Sequence, residues 1–391
     1  MFVSTVGVSF ALLLTIGLSD SYTDVVGGKK LNHDTNNNTQ EVSLVSRTAA
    51  NLFTVLDQFD NFDINSCDPV SSKKPNFEAP GRRISEIKCL EYLWQMRYYD
   101  QMLVRHIRCG LEFDPSLTVI IGGTDAVQGQ FPHMGAVGWK GVNDSWVFKC
   151  GASLVTERFM ITAAHCSRVK RGDIKIVDPV PKMVRVGVTN ISFKDMEYKP
   201  PQDSFIKRFI VHPYYRPPRK YYDIAVIELE TPIMFTMMSH PACIWSNQMH
   251  EVQGKAILTG WGVTATDGTD AHPILQFAEV DVVDVNSCDR MLQSSRNRLW
   301  RGLVYHQMCA GHLDGGVDSC QGDSGGPLQM HIKIPGFTDW KMQYLLGITS
   351  FGYGCGRANM PSVYTKVSTF ADWIESIVWE KDYFSRYNIT K

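Results

Sequence analysis

The chain has 391 residues, 44% of them hydrophobic and 20% charged, enough for one large or two smaller globular domains with a real core. A formal net charge of −1 leaves no excess of basic residues with which to hold nucleic acid or an anionic membrane, and neither is expected as a partner. The short basic run "RVKRG" around Arg168 reads as a solvated loop.

The chain opens with an apolar run from Val6 to Leu18, too short to span a bilayer comfortably. Small residues follow, so residues 1–19 are expected to be a secretory signal peptide, although no Lys or Arg precedes the apolar run. No later apolar run is long enough for a membrane span. Residues 20–66 include "GGKKLNHDTNNNTQ", a polar, Asn-rich stretch with the composition of a disordered segment. A small region follows from Cys67 to Val119. Pro75 and Pro80 favour an extended lead-in, and Ile84, Ile87, Leu90, Tyr92 and Leu93 then recur at near-helical spacing. That spacing predicts a helix, with Ser85 as its N-cap.

From Ile120 the texture changes to short apolar runs split by Gly, Pro and Asn, such as "CGASLV", "FMITAAHC", "DIAVIEL", "AILTGWG" and "SVYTKV". Many short strands with turns between them argue for an all-β sandwich or barrel. The end differs: in "TFADWIESIV", Phe370, Trp373, Ile374, Ile377 and Val378 share one helical face, and Thr369 with Asp372 has a capping-box pattern. An all-β domain closed by a C-terminal helix is expected.

Ten cysteines, an even number in a chain read as exported, suggest disulfides. None falls in a C-x-x-C pair, so a zinc site is not expected. Sequons at Asn37, Asn143, Asn190 and Asn388 are candidate glycosylation acceptors.

The stretch "DSCQGDSGGP", Asp318 to Pro327, sets one serine among turn-forming residues. It suits a surface turn, and it suits a nucleophile whose glycines let a substrate carbonyl approach the backbone. A serine nucleophile needs a base, and the base needs a third group to hold its tautomer. "ITAAHC" offers His165 after an apolar strand and beside Cys166; "YYDIAVIEL" offers Asp223 at the mouth of another. Each alone is ordinary. All three in one cysteine-rich β chain are not.

With "TAAHC", "DIAVIEL" and "GDSGGP" in that order, the chain from Ile120 to about Val378 resembles a trypsin-like serine protease of the chymotrypsin family. The resemblance implies two six-stranded antiparallel β-barrels, with His165, Asp223 and Ser324 as base, orienter and nucleophile and the N–H groups of Gly322 and Ser324 as oxyanion hole. It implies activation by a cut between Val119 and Ile120, whose new ammonium would pair with Asp323. Val119 stands where Arg or Lys is usual, so the activating protease should accept aliphatic residues. Asp318 falls where trypsin-like relatives keep the acid that attracts substrate Arg or Lys; Ser350 and Gly352 would pair with an extended substrate strand. Ser362 replaces a usual glycine and is expected to crowd the pocket. Phe351 stands where tryptophan is usual. Val188 stands where a calcium loop would place an acid, so no calcium and no other cofactor is expected.

The resemblance pairs Cys150–Cys166, Cys288–Cys309 and Cys320–Cys355, and tethers the upstream part through Cys109–Cys243; Cys67–Cys89 is what remains. "GRRISEIKCLEY" followed by "IIGGTDAVQGQFPHMGAVGW" is similar to insect snake-type, clip-domain cascade proteases, here with the clip domain reduced or absent. The organisation expected is therefore signal peptide 1–19, polar segment 20–66, light chain 67–119 and protease domain 120–391. The partners implied are a protein substrate, an upstream protease and a serpin-like inhibitor. Two other readings stand beside this one: a non-catalytic homologue that binds with the same fold, and an enzyme with elastase-like choice.

Overall fold

The computed structural model describes residues 67, 73–110, 129–169, 172–192, 201–246, 254–262, 272–315, 323–333, 341–353 and 357–388, all of which belong to one unit spanning residues 47–391. The expected signal peptide and polar segment, residues 1–66, lie outside them, as do Val119, Ile120, Asp318, Cys320, Gly322 and Cys355.

The short apolar runs form strands that close on themselves twice. The first barrel joins β1 (Met134–Lys140), β2 (Trp146–Leu154), β3 (Phe159–Thr162), β4 (Met183–Val186), β5 (Gln202–Val211) and β6 (Ala225–Leu229) in the order β1-β2-β3-β6-β5-β4. After the two-residue β7 (Cys243–Ile244), the second barrel uses β8 (Gly254–Gly260), β9 (Gln276–Val283), β10 (Gln307–Gly311), β11 (Pro327–Lys333), β12 (Lys341–Phe351) and β13 (Ser362–Lys366). Its order is β11-β8-β9-β10-β13-β12, closed by β11 on β12, with β7 added in parallel to β12. Closure removes sheet edges, and the inward side chains fill each interior. Val137, Trp139, Leu154, Val184 and Val226 fill the first; Ala256, Leu258, Val280, Leu328 and Tyr364 fill the second. The two-barrel expectation is met.

β12 is buried along almost its whole length because both faces are covered. Leu346 joins the second core, Leu345 and Ile348 join the first, and Met342 and Tyr344 meet the upstream helix α1 (Ile84–Arg108). The face of α1 read from the sequence is the face that packs: Ile84, Ile87, Leu90 and Leu93 are buried, and Tyr92 is partly so.

The helix starts one residue before the expected cap. Arg83 is its N-cap, and Glu86 accepts a hydrogen bond from the Arg83 N–H at 3.0 Å. Ser85 lies inside the first turn, where its hydroxyl donates to Glu375 at 2.6 Å. After the short α2 (Val285–Met291), Glu375 belongs to α3 (Ala371–Val378), which is followed by α4 (Glu380–Tyr387). The capping box of Thr369 and Asp372 does not form. Residues Val367–Phe370 make a 3₁₀ turn into α3, and Asp372 instead pairs with Arg83.

The disulfides correct two expected pairs. Cys150–Cys166 and Cys288–Cys309 form as implied. The tether is Cys89–Cys243, not Cys109–Cys243, and Cys67 closes on Cys109, not on Cys89. The reason is the helix. Cys89 lies on its buried face beside Leu90 and Leu93, whereas Cys109 caps its far end, about 30 Å along the axis at 1.5 Å per residue. Cys67 is at that far end too, where its carbonyl accepts a hydrogen bond from Arg105 at 2.8 Å.

Glu375 is fully buried, and its carboxylate accepts from Arg83 Nε at 3.1 Å, Arg83 Nη2 at 2.9 Å, and the Ser85 N–H at 3.1 Å besides the Ser85 hydroxyl. Burial alone pushes the Arg83 guanidinium down, but hydrogen bonds and charge from Asp372 and Glu375 raise it above its ordinary value. Removing one partner of a buried pair strands the other. Glu375→Ala is therefore expected to cost about 3–5 kcal/mol in denaturant unfolding. Asp372→Ala, at a carboxylate 74% exposed, should cost under about 1 kcal/mol. Equal losses would refute the assignment of Glu375 as the anchor.

Candidate active site

His165 sits in a 3₁₀ turn, Ala164–Ser167, directly after β3. Asp223 directly precedes β6, and β3 pairs with β6 from Phe159 to Thr162, so both residues emerge at the same end of the first barrel. His165 Nδ1 lies 2.8 Å from Asp223 Oδ2, and the His165 backbone N–H donates to Oδ1 at 2.9 Å. An ionised carboxylate only accepts, so Nδ1 carries the proton and Nε2 keeps a lone pair.

Asp223 is 2% exposed. Burial pushes its carboxyl up, but the charge and hydrogen bonds of His165, with a hydrogen bond from Ser350, hold it below the ordinary 3.8. A depressed carboxyl stabilises the fold fully above its unfolded value; that contribution is lost as pH falls through the lower, folded value. Ser350 thus has a role that was not foreseen. Besides lying on a strand that a substrate could follow, its hydroxyl donates to Asp223 Oδ2. Thr365 on β13 donates to the Asp223 carbonyl at 2.8 Å.

Ser324 comes from the second barrel, in the turn that enters β11, and is partly buried. Its carbonyl accepts from the Gly151 N–H on β2 at 2.8 Å, and Cys166 Sγ, next to His165, lies 3.7 Å from that carbonyl. The structure therefore brings His165, Asp223 and the Ser324 turn to one place between the barrels. The first glycine after Ser324 is also required by contacts within the chain. Gly325 has φ +75°, and a Cβ there would fall 2.2 Å from Thr162 Oγ1 and 2.7 Å from the Gly151 carbonyl. At Gly325 the missing side chain lets the Thr162 hydroxyl and the Gly151 carbonyl come close.

Asp323 turns into the protein. Its Oδ1 accepts from the Gly262 N–H at 2.9 Å, and a Cβ on Gly260 would fall 1.9 Å from the same oxygen. The two glycines of "TGWG" make the recess that holds it. That Gly-x-Gly was visible in the sequence and was not read as part of the site.

Ser362 on β13 is fully buried, and its hydroxyl has no hydrogen-bond partner among the described residues. It lies 2.7 Å from where a Cβ on Gly352 would be, so Ser362 and Gly352 face each other closely. Phe351 packs edge-on against Trp300 at 5.7 Å and carries Lys220 Nζ above its ring at 5.3 Å. The side chains of Cys150, His165 and Cys166 gather within 4.8 Å, but the two sulfurs are joined to each other and offer no thiolate to a metal. Among the described residues no helix is long and apolar enough to cross a membrane.

The chain matches the trypsin family over residues 120–374, well over half its length. It is 35% identical to serine protease snk of Drosophila melanogaster over 320 residues, 81% of this chain and 68% of the relative. Serine protease Hayan of Drosophila melanogaster is 35% identical over 273 residues, 68% of this chain and 40% of Hayan, so the chain spans less than half that relative's length. The clotting factor G beta subunit of Tachypleus tridentatus is 34% identical over 285 residues, 72% of this chain and 86% of the relative. Two closed barrels with a histidine, an aspartate and a serine turn between them, together with these matches, place the chain in the trypsin family of serine proteases.

Proposed function

We propose that the protein is a secreted serine endopeptidase made as a zymogen, cut before Ile120, which hydrolyses peptide bonds after Arg or Lys in an extracellular cascade. The observation that carries this reading is the hold of Asp223 on His165: two hydrogen bonds of 2.8 and 2.9 Å that fix the imidazole with Nε2 as the base. In the proposed reaction Nε2 takes the Ser324 proton as the hydroxyl oxygen attacks the scissile carbonyl. The N–H groups of Gly322 and Ser324 stabilise the resulting oxyanion. The imidazolium then protonates the leaving amine, an acyl-enzyme forms on Ser324, and water repeats the sequence in reverse order. Asp318 draws the basic side chain of the substrate. The leader 1–19, the polar segment 20–66, the light chain 67–119 and the protease domain 120–391 complete the proposed organisation.

Cleaved full-length protein should be labelled on Ser324 by a fluorophosphonate probe, and Asp223→Asn should lower kcat by about 10⁴-fold, because the amide imposes the wrong imidazole tautomer. Absence of labelling after a verified cut would instead establish a non-catalytic homologue.

Activation rests on Asp323. Its carboxylate already lies in the Gly260–Gly262 recess, and a new Ile120 ammonium would give it a buried counter-charge. Cys89–Cys243 would keep the light chain attached after the cut. Active protein should therefore run as one band without reductant and two with it, with Ile120 as the first residue of the heavier product. A different first residue overturns the activation site.

Ser362 modulates the choice of substrate. A buried hydroxyl with no partner, facing Gly352, narrows the space and adds an unsatisfied polar group. Ser362→Gly should raise kcat/KM for Arg and Lys substrates by about tenfold, the equivalent of roughly 1–2 kcal/mol for one unmet buried polar group. If preference instead lies with small aliphatic residues in both forms, the enzyme is elastase-like.

A further inference from the structure

Two loops on the first and second barrels carry an unusual share of aromatic and basic residues: "YYRPPRKYY", 214–222, and "RNRLWRGLVY", 296–305. They are locked together. The Arg301 N–H donates to the Tyr221 hydroxyl at 2.7 Å, which donates to the Gly302 carbonyl at 3.1 Å. The Lys220 N–H donates to the Leu299 carbonyl at 3.2 Å, and Gln307 Nε2 donates to the Lys220 carbonyl at 2.7 Å. Between the loops lies a cavity of about 310 Å³ lined by Tyr214, Tyr221, Tyr222, Tyr305, Arg216 and Arg219.

Three observations say what this cavity takes. Tyr214 and Tyr305 are 66% and 73% exposed, so large rings face solvent at its rim. Tyr and Arg are the residues that dominate protein-binding hot spots. Of the cations in these loops Arg296 pairs with Asp289, whereas Arg216 and Arg219, which line the cavity, form no ion pair with a carboxylate of the described residues. The Arg216 guanidinium is instead fixed on the carbonyls of Pro213 and Tyr215 at 2.6 and 2.9 Å, which aims it without neutralising it. A preorganised guanidinium pairs strongly with a carboxylate. His306, which also lines the cavity, is kept neutral at neutral pH by burial, so the positive charge comes from the arginines.

We infer that this cavity is a docking site for an acidic peptide segment of a protein partner, with an aromatic side chain seated between the tyrosines and flanking carboxylates on Arg216 and Arg219. A sulfated glycan would meet the charge but leave the ring-lined interior unfilled. The inference concerns binding and does not rest on the proposed proteolysis.

The test uses the full chain as Ser324→Ala and a fluorescein-labelled peptide, Asp-Asp-Phe-Asp-Glu-Phe-Asp-Asp, followed by anisotropy at low and high salt. Saturable binding is expected. It should weaken about tenfold in Arg219→Ala and in Tyr305→Ala, each the loss of one hot-spot contact, and further in Arg216→Ala with Arg219→Ala. Lys381→Ala, on an exposed position of α4, should leave it unchanged, and the Asn/Gln version of the peptide should not bind. Both cavity residues point outward, and an unchanged melting temperature verifies their fold. No saturable binding, equal affinity in the cavity variants, or equal affinity for an all-aspartate peptide or a heparin oligosaccharide overturns the proposal.

Discussion

A carboxylate shut away from water must find donors, and most of the functional geometry follows from how Asp223 does so. Its donors come from separate elements: the imidazole and backbone of His165 after β3, and the hydroxyl of Ser350 on β12. Thr365 on β13 holds its carbonyl. An acid carried by the first barrel is thus gripped by two strands of the second. Misplacing either barrel would strand a buried charge, so the relative position of the barrels and the orientation of the imidazole are one constraint, not two.

The serine half of the site is fixed differently, by backbone. Gly325 fits against Thr162 and Gly151 only because it has no side chain, and its N–H donates to the Thr349 carbonyl at 2.9 Å. Thr162 is three residues before His165. The serine turn is therefore measured against the same strand end that presents the histidine. Backbone-to-backbone registration loses little to side-chain fluctuation, so the serine turn and the histidine turn keep a fixed relation.

Much of this was legible in the sequence, for identifiable reasons. Short apolar runs such as "DIAVIEL" mark strands because the strand they form is buried along its whole length, and the helical face of α1 was visible because burial there repeats at near-helical spacing. What could not be read depends on partners far along the chain. Ser85 and Asp372 look like local caps, yet their hydrogen bonds go across a separation of nearly three hundred residues, Ser85 to Glu375 and Asp372 to Arg83. Local capping patterns compete with tertiary partners, and here the tertiary partners win. The tether failed for the same reason: a cysteine's partner is set by which helical face it occupies, and Cys89 and Cys109 differ in that and not in composition.

Glu375 solves the same burial problem as Asp223 does at the site, with donors drawn from a segment remote in sequence. The upstream helix supplies those donors, and it also covers Met342 and Tyr344 on β12. Two buried carboxylates would be left short of partners or support if α1 departed: Glu375 directly, and Asp223 through β12, which carries both Tyr344 and Ser350. The hold on α1 is then a matter of buried charge as well as of the Cys89–Cys243 disulfide. The residues that hold α1 in place, Arg83, Ser85 and Cys89, lie at its N-terminal cap and in its first turns, so one end of the helix carries both the buried ion pair and the covalent link to the rest of the fold.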